Sequence, residues 1–123
     1  MIRAIGIAAI AAAVMVGPAA ARTCIVPPIR TLDNQTTSGT MYAVSGKRCS
    51  IDVRRTQGPM FSARVVTQPS NGRVSISGNQ VVYISRPGYV GNDRFVYARE
   101  GLDASNRPIT RTVEVGVKVS DRL

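Results

Sequence analysis

This sequence predicts an all-β fold, an antiparallel β-sandwich of about seven short strands, and three observations carry that prediction. Between Gln68 and Tyr97 three apolar-alternating runs are each closed by turn pairs: Asn71-Gly72, Gly78-Asn79, Pro87-Gly88 and Gly91-Asn92. From Ile109 to Val119 the chain sets Ile109, Arg111, Val113, Val115, Val117 and Val119 on one parity, with polar or small residues on the other. A period of two sustained that long is a half-buried strand. Beyond the first residues, no window shows the i, i+3, i+4, i+7 spacing of an amphipathic helix.

The N-terminus reads as a secretory leader. Arg3 gives one positive charge, Ala4 to Val16 is an unbroken run of small and apolar residues, and Gly17-Pro18 ends any helix. Ala19-Ala20-Ala21 offers the small residues a signal peptidase reads, so cleavage after Ala21 is expected. The apolar run is shorter than the roughly 20 residues a membrane-spanning helix requires. Residues 22–123 then form one domain without a span, periplasmic or secreted. Cys24 follows Ala21-Arg22-Thr23, which lacks the pattern of a lipid-attachment signal.

Export decides how the cysteines are read. Cys24 and Cys49 are the only two, and the chain contains no histidine. Structural zinc requires four nitrogen or sulfur ligands, whereas an exported pair persists as a disulfide. A Cys24–Cys49 bridge is therefore expected.

The strands follow in order. Cys24–Ile29, broken by Pro27-Pro28, and Met41–Val44 are expected as edge strands. Cys49, Ile51 and Val53 share a face, as do Phe61, Ala63 and Val65, and then Phe95 and Tyr97. A two-residue Gly78-Asn79 turn sets Ser77 opposite Gln80, Ile76 opposite Val81, Ser75 opposite Val82 and Val74 opposite Tyr83. Val74, Ile76, Val81 and Tyr83 then face the core. Arg73, Ser75, Val82 and Ile84 face outward. Two branched apolar residues on an outward face are either covered by neighbouring segments or form a docking surface with Arg73 and Ser75.

Pro69, Gly72, Val74, Val81, Tyr83, Gly88, Tyr89, Gly91, Asp93, Phe95 and Tyr97 also carry a likeness. Their spacing resembles the phrase "P-x-x-G-x-V, V-x-Y-x-P, G-F-x-G-x-D-x-F-x-Y" of bacterial cadherin-like or immunoglobulin-like domains, which occur in tandem in surface proteins. The resemblance extends loosely from Thr40 to Val119 and implies an immunoglobulin-like sandwich that serves as a binding module. Family members often hold calcium between domains. Where the acidic pair of those repeats would follow Ser50-Ile51-Asp52-Val53, this chain has Arg54-Arg55. Calcium requires six to eight oxygen ligands, so no cofactor or metal is expected here.

Enzymatic chemistry is not expected either. Without histidine the Ser-His-Asp and Cys-His arrangements are closed. The seven acids stand in no context of a glycosidase pair. Asp93 follows Gly91-Asn92, where a carboxylate satisfies turn amides. The formal charge is +9, and with Arg3 lost the fifteen remaining cations and seven acids leave +8. Most cations are arginine, suited to carboxylate and phosphate. The aromatic-and-basic spacing of a base-stacking platform is missing, which argues against nucleic acid. The leading expectation is a non-catalytic module docking on an envelope or extracellular protein. The alternative is a basic adaptor for anionic envelope polymers such as lipopolysaccharide, phospholipid headgroups or acidic polysaccharide.

Overall fold

The structure, a computed structural model, describes residues 22–53 and 60–123. The expected leader and Arg54-Arg55 lie outside them, as do the side chains of Met60 and Phe61. Eight strands are described: β1 (Cys24–Ile25), β2 (Thr36–Val44), β3 (Cys49–Asp52), β4 (Met60–Thr67), β5 (Gly72–Ser77), β6 (Gln80–Ser85), β7 (Gly91–Leu102) and β8 (Pro108–Ser120). They form two sheets, ordered β1-β2-β8-β7-β4 and β3-β6-β5. The fold is an all-β sandwich.

The long β7–β8 hairpin is its spine, paired from Gly91↔Val119 to Leu102↔Pro108. Its turn closes through Asp103, whose carboxylate accepts the Ser105 and Arg107 amides at 2.8 and 2.9 Å. Asn106 takes the left-handed conformation there, at φ 61°, which asparagine tolerates better than most residues. Alternation along β8 buries Ile109, Val113, Val115, Val117 and Val119. These four valines meet Val74, Val81, Tyr83, Cys49 and Ile51 of the smaller sheet. Tyr83 and Phe95 stack across the sandwich with centroids 5.9 Å apart. Each fully buried side chain of this size contributes roughly 1.5–3 kcal/mol through removal from water.

The β5–β6 hairpin has the register expected of the Gly78-Asn79 turn, with Val74↔Tyr83, Ser75↔Val82, Ile76↔Val81 and Ser77↔Gln80. Gly78 has φ +58°, as such a turn requires. Cys24 and Cys49 are joined, with Cα atoms 5.0 Å apart. The bridge links β1 of one sheet to β3 of the other.

Two expectations are corrected. Met41–Val44 is the end of a nine-residue strand, β2, which lies between β1 and β8 rather than at an edge. It runs parallel to β8, from Thr36↔Thr112 to Val44↔Ser120, so the sandwich is mixed rather than purely antiparallel. The strand is long because Asn34 and Gln35 dock its start onto β8: Asn34 N donates to Thr110 O at 2.7 Å and Thr112 N to Gln35 O at 3.2 Å. The Cys24–Ile29 segment pairs only at Cys24 and Ile25, because Pro27 and Pro28 have no amide hydrogens to continue the ladder.

Candidate functional site

Of the outward quartet on the β5–β6 hairpin, the structure separates the two apolar members. Val82 is only 5% exposed, whereas Ile84 is 38% exposed. This corrects the expectation of two exposed aliphatic residues, and the reason is position in the sheet. Val82 lies on the middle strand, flanked by Ser50 of β3 and Ser75 of β5. Ile84 has Arg73 on one side only, because β3 begins at Cys49, opposite Tyr83. Arg73 and Ser75 are exposed. Val82→Thr should accordingly cost roughly 1–2 kcal/mol by burying a hydroxyl, and Ile84→Thr less than about 0.5 kcal/mol. Urea midpoints of the two variants check this, and equal losses would show that Ile84 is core as well.

The free edge of β5 is occupied. The Gln68 amide accepts from Val74 N at 2.9 Å and donates to Val74 O at 3.0 Å. One side chain thus takes both outward backbone groups of that residue. Addition of a further strand at that point is blocked.

Asp93 satisfies turn amides, as expected of it, but they belong to the Ser70-Asn71 turn rather than to Gly91-Asn92. Oδ1 accepts the Ser70 and Arg94 amides at 3.1 and 2.9 Å, and Oδ2 accepts Asn71 N at 3.1 Å and the Tyr83 hydroxyl at 2.8 Å. The carboxylate is buried, and its acceptor capacity is taken up by the fold. Burial, reinforced by the bond to Asp93, holds the Tyr83 phenol well above the ordinary tyrosine range. Burial likewise pushes Tyr97 up to about 12.

Two inward arginines were not singled out from the sequence. Arg99 and Arg111 face each other across β7 and β8 and are both buried. Arg99 Nη1 donates to Val53 O at 2.5 Å, and Arg111 pairs with Asp33 at 2.8 Å. Burial holds Arg99 below the ordinary arginine value, with a further lowering from Arg111. Their parity with Phe95–Tyr97 and with Val113–Val119 was the available signal. Beside them a groove of about 910 Å³ runs between the Val26–Leu32 segment and Ser50–Val53, with Tyr97 in its lining. Ile29 pins that segment by lying on Gly39, where an added Cβ would come within 2.7 Å of the Ile29 side chain. Among the described residues, no three His, Cys, Asp or Glu side chains gather as a metal site.

The opposite end of the sandwich is built from five separate stretches of chain. Gly46 N donates to Ser85 Oγ at 2.9 Å, and Arg86 N donates to Asn71 O at 2.9 Å. Ser45 N donates to Ser120 O at 2.9 Å and Val44 N to Thr23 O at 3.1 Å. These bonds gather exposed Arg22, Lys47, Arg48, Arg86 and Arg122, with Lys118 just behind on the outer face of β8. The ion pairs of the described residues are Arg64–Glu100, Arg94–Glu114, Arg107–Asp103 and Arg111–Asp33, all elsewhere. Asp121 is the one exposed acid among these stretches. The centre of this end is the Arg86–Val90 loop. Pro87 and Gly88 form its turn, with Tyr89 N donating to Arg86 O at 3.1 Å and Gly88 at φ +85°, the arrangement of a type II turn. The Arg86 guanidinium lies 5.4 Å from the Tyr89 ring centroid and donates to Asn71 Oδ1 at 2.9 Å. Tyr89 in turn donates its hydroxyl to Asn92 O.

No protein-family model matches this chain, and no match was found among curated proteins or among solved structures.

Proposed function

We propose that this protein is an exported, non-catalytic, immunoglobulin-like binding module of the bacterial cell envelope, and that it engages anionic envelope polymers. The observation that carries this reading is the loop end, where six cations converge from four chain segments with no ion-pair partner among the described residues. Like charges so gathered repel one another, and an anionic ligand relieves that repulsion. A lesser surface suits a protein partner: Ile84, exposed and rimmed by Arg73 and Ser75, has the centre-and-rim chemistry of an interface.

Retention on an immobilised acidic polysaccharide such as heparin tests the reading. The protein should bind at low salt and elute as ionic strength rises and screens the exposed charges. Lys47→Glu should elute distinctly earlier than Arg30→Glu, which changes the net charge equally but sits beside the groove. If the two variants elute together, binding reflects net charge alone and the loop end is not the site. Capture that is insensitive to salt and lost in Ile84→Thr would favour the protein partner.

A further inference from the structure

We infer that the basic loop end docks on a bilayer surface bearing anionic headgroups, with the Arg86–Val90 loop as the part that enters the headgroup layer. The inference rests on the anionic-partner reading above and narrows it to one kind of partner. A polyanion in solution is served by cations alone. This loop presents something more. Val90 is 52% exposed, the most exposed large apolar side chain among the described residues, and Pro87 beside it is exposed as well. An apolar tip with Arg86 in its own loop, and with Lys47 and Arg48 in the β2–β3 loop that packs beside it, matches the interfacial pattern, in which aliphatic groups enter the headgroup boundary and cations meet the phosphates. Tyr89 adds an amphipathic ring of the kind enriched at that depth.

The loop is also preorganised. Arg86 is held by Asn71 and by the Tyr89 ring, and the type II turn is fixed by Pro87 and Gly88. Tyr89 lies across Gly91, where φ is +145° and an added Cβ would fall 2.9 Å from the Tyr89 hydroxyl. Little conformational freedom is therefore lost on docking.

The chain contains no tryptophan, which makes a direct test available. Val90→Trp places a single reporter at the tip, and Leu32→Trp places one at a comparably exposed position beside the groove (44% exposed). Both variants, purified from the exported fraction, are titrated with vesicles of phosphatidylcholine alone or mixed equally with phosphatidylglycerol. Indole emission from Val90→Trp should shift to the blue and gain protection from aqueous quenchers on the mixed vesicles only, while that from Leu32→Trp should not change. Adding Lys47→Glu and Arg48→Glu to the tip variant should weaken binding by about tenfold or more, since each cation near an anionic surface contributes on the order of 1 kcal/mol. No shift in the tip variant, or an equal shift in the groove variant, overturns the inference. Retention on heparin without vesicle binding overturns it while leaving the anionic-partner reading intact. Binding to neither removes both.

Discussion

Asp93→Asn should be the most destabilising single polar substitution in this chain, at about 2–4 kcal/mol. The carboxylate receives four donors, the amides of Ser70, Asn71 and Arg94 and the Tyr83 hydroxyl. Asparagine keeps the shape but has one acceptor oxygen, and its NH₂ group would face donors on the other side. Two donors then lose their acceptor, either the Asn71 amide with the buried Tyr83 hydroxyl or the part-buried Ser70 and Arg94 amides. The 68–71 turn and the Tyr83 side chain are held by the same two oxygens, so the loss is felt in both sheets. A decrease in melting temperature of roughly 10 °C or more should follow for a domain of this size. Melting within about 2 °C of the wild type would refute the assignment. Alkaline pH gives a second readout. Tyr83 and Tyr97 have raised values in the fold, so above the ordinary tyrosine value of about 10 the unfolded chain ionises first and stability falls as pH rises. Tyr83→Phe should lessen that alkaline loss, with the part due to Tyr97 remaining.

How far the fold was legible depended on whether its cause was local. The β5–β6 register follows from Gly78-Asn79, because a two-residue turn leaves one way to pair the flanking residues. β8 follows from its own alternation. Asp93 was legible as a carboxylate that satisfies turn amides, but the turn it serves, at Ser70 and Asn71, lies more than twenty positions away in sequence. The length of β2 was not legible. Thr36–Thr40 has no apolar alternation, and the strand exists because β8 offers a parallel edge more than seventy positions away in sequence. Val82 shows the same boundary. Its face is fixed by parity, but its burial depends on a third strand, β3, which parity alone does not place.

The candidate site was legible only as composition. The excess of arginine and lysine is plain in the sequence, where the cations are spread from Arg22 to Arg122 and nothing marks a cluster. Their convergence is a product of topology. β1, the β2–β3 loop, the 69–71 turn, the β6–β7 loop and the end of β8 all come to one end of the sandwich. Arg99 and Arg111 are the converse case. Each occupies an inward parity, and each is accommodated because the smaller sheet, with its shorter strands, gives way there to Val53 and Asp33, which supply acceptors.

Loss of the Cys24–Cys49 bridge should cost about 3 kcal/mol, from the conformational freedom returned to an unfolded chain in which the linked positions are 25 residues apart. The location of the bridge makes the loss structural as well. β1 has two paired residues, Cys24 and Ile25, and the prolines that follow prevent it from gaining more. β3 has four residues at the edge of a three-stranded sheet. The covalent link therefore holds together two elements whose ladders are too short to hold on their own, and it closes the sandwich along that side. Reduction of the wild-type protein should lower its melting temperature by roughly 10–20 °C. The double variant Cys24→Ala, Cys49→Ala should melt at or below the reduced protein, because the Cys49 side chain is also buried and its removal leaves space in the core. Hydrogen exchange should locate the damage, with protection lost first at Cys24–Ile25 and Cys49–Asp52 while the β7–β8 hairpin keeps its own. A reduced protein that melts within about 2 °C of the oxidised one would show that packing alone fixes β1 and β3.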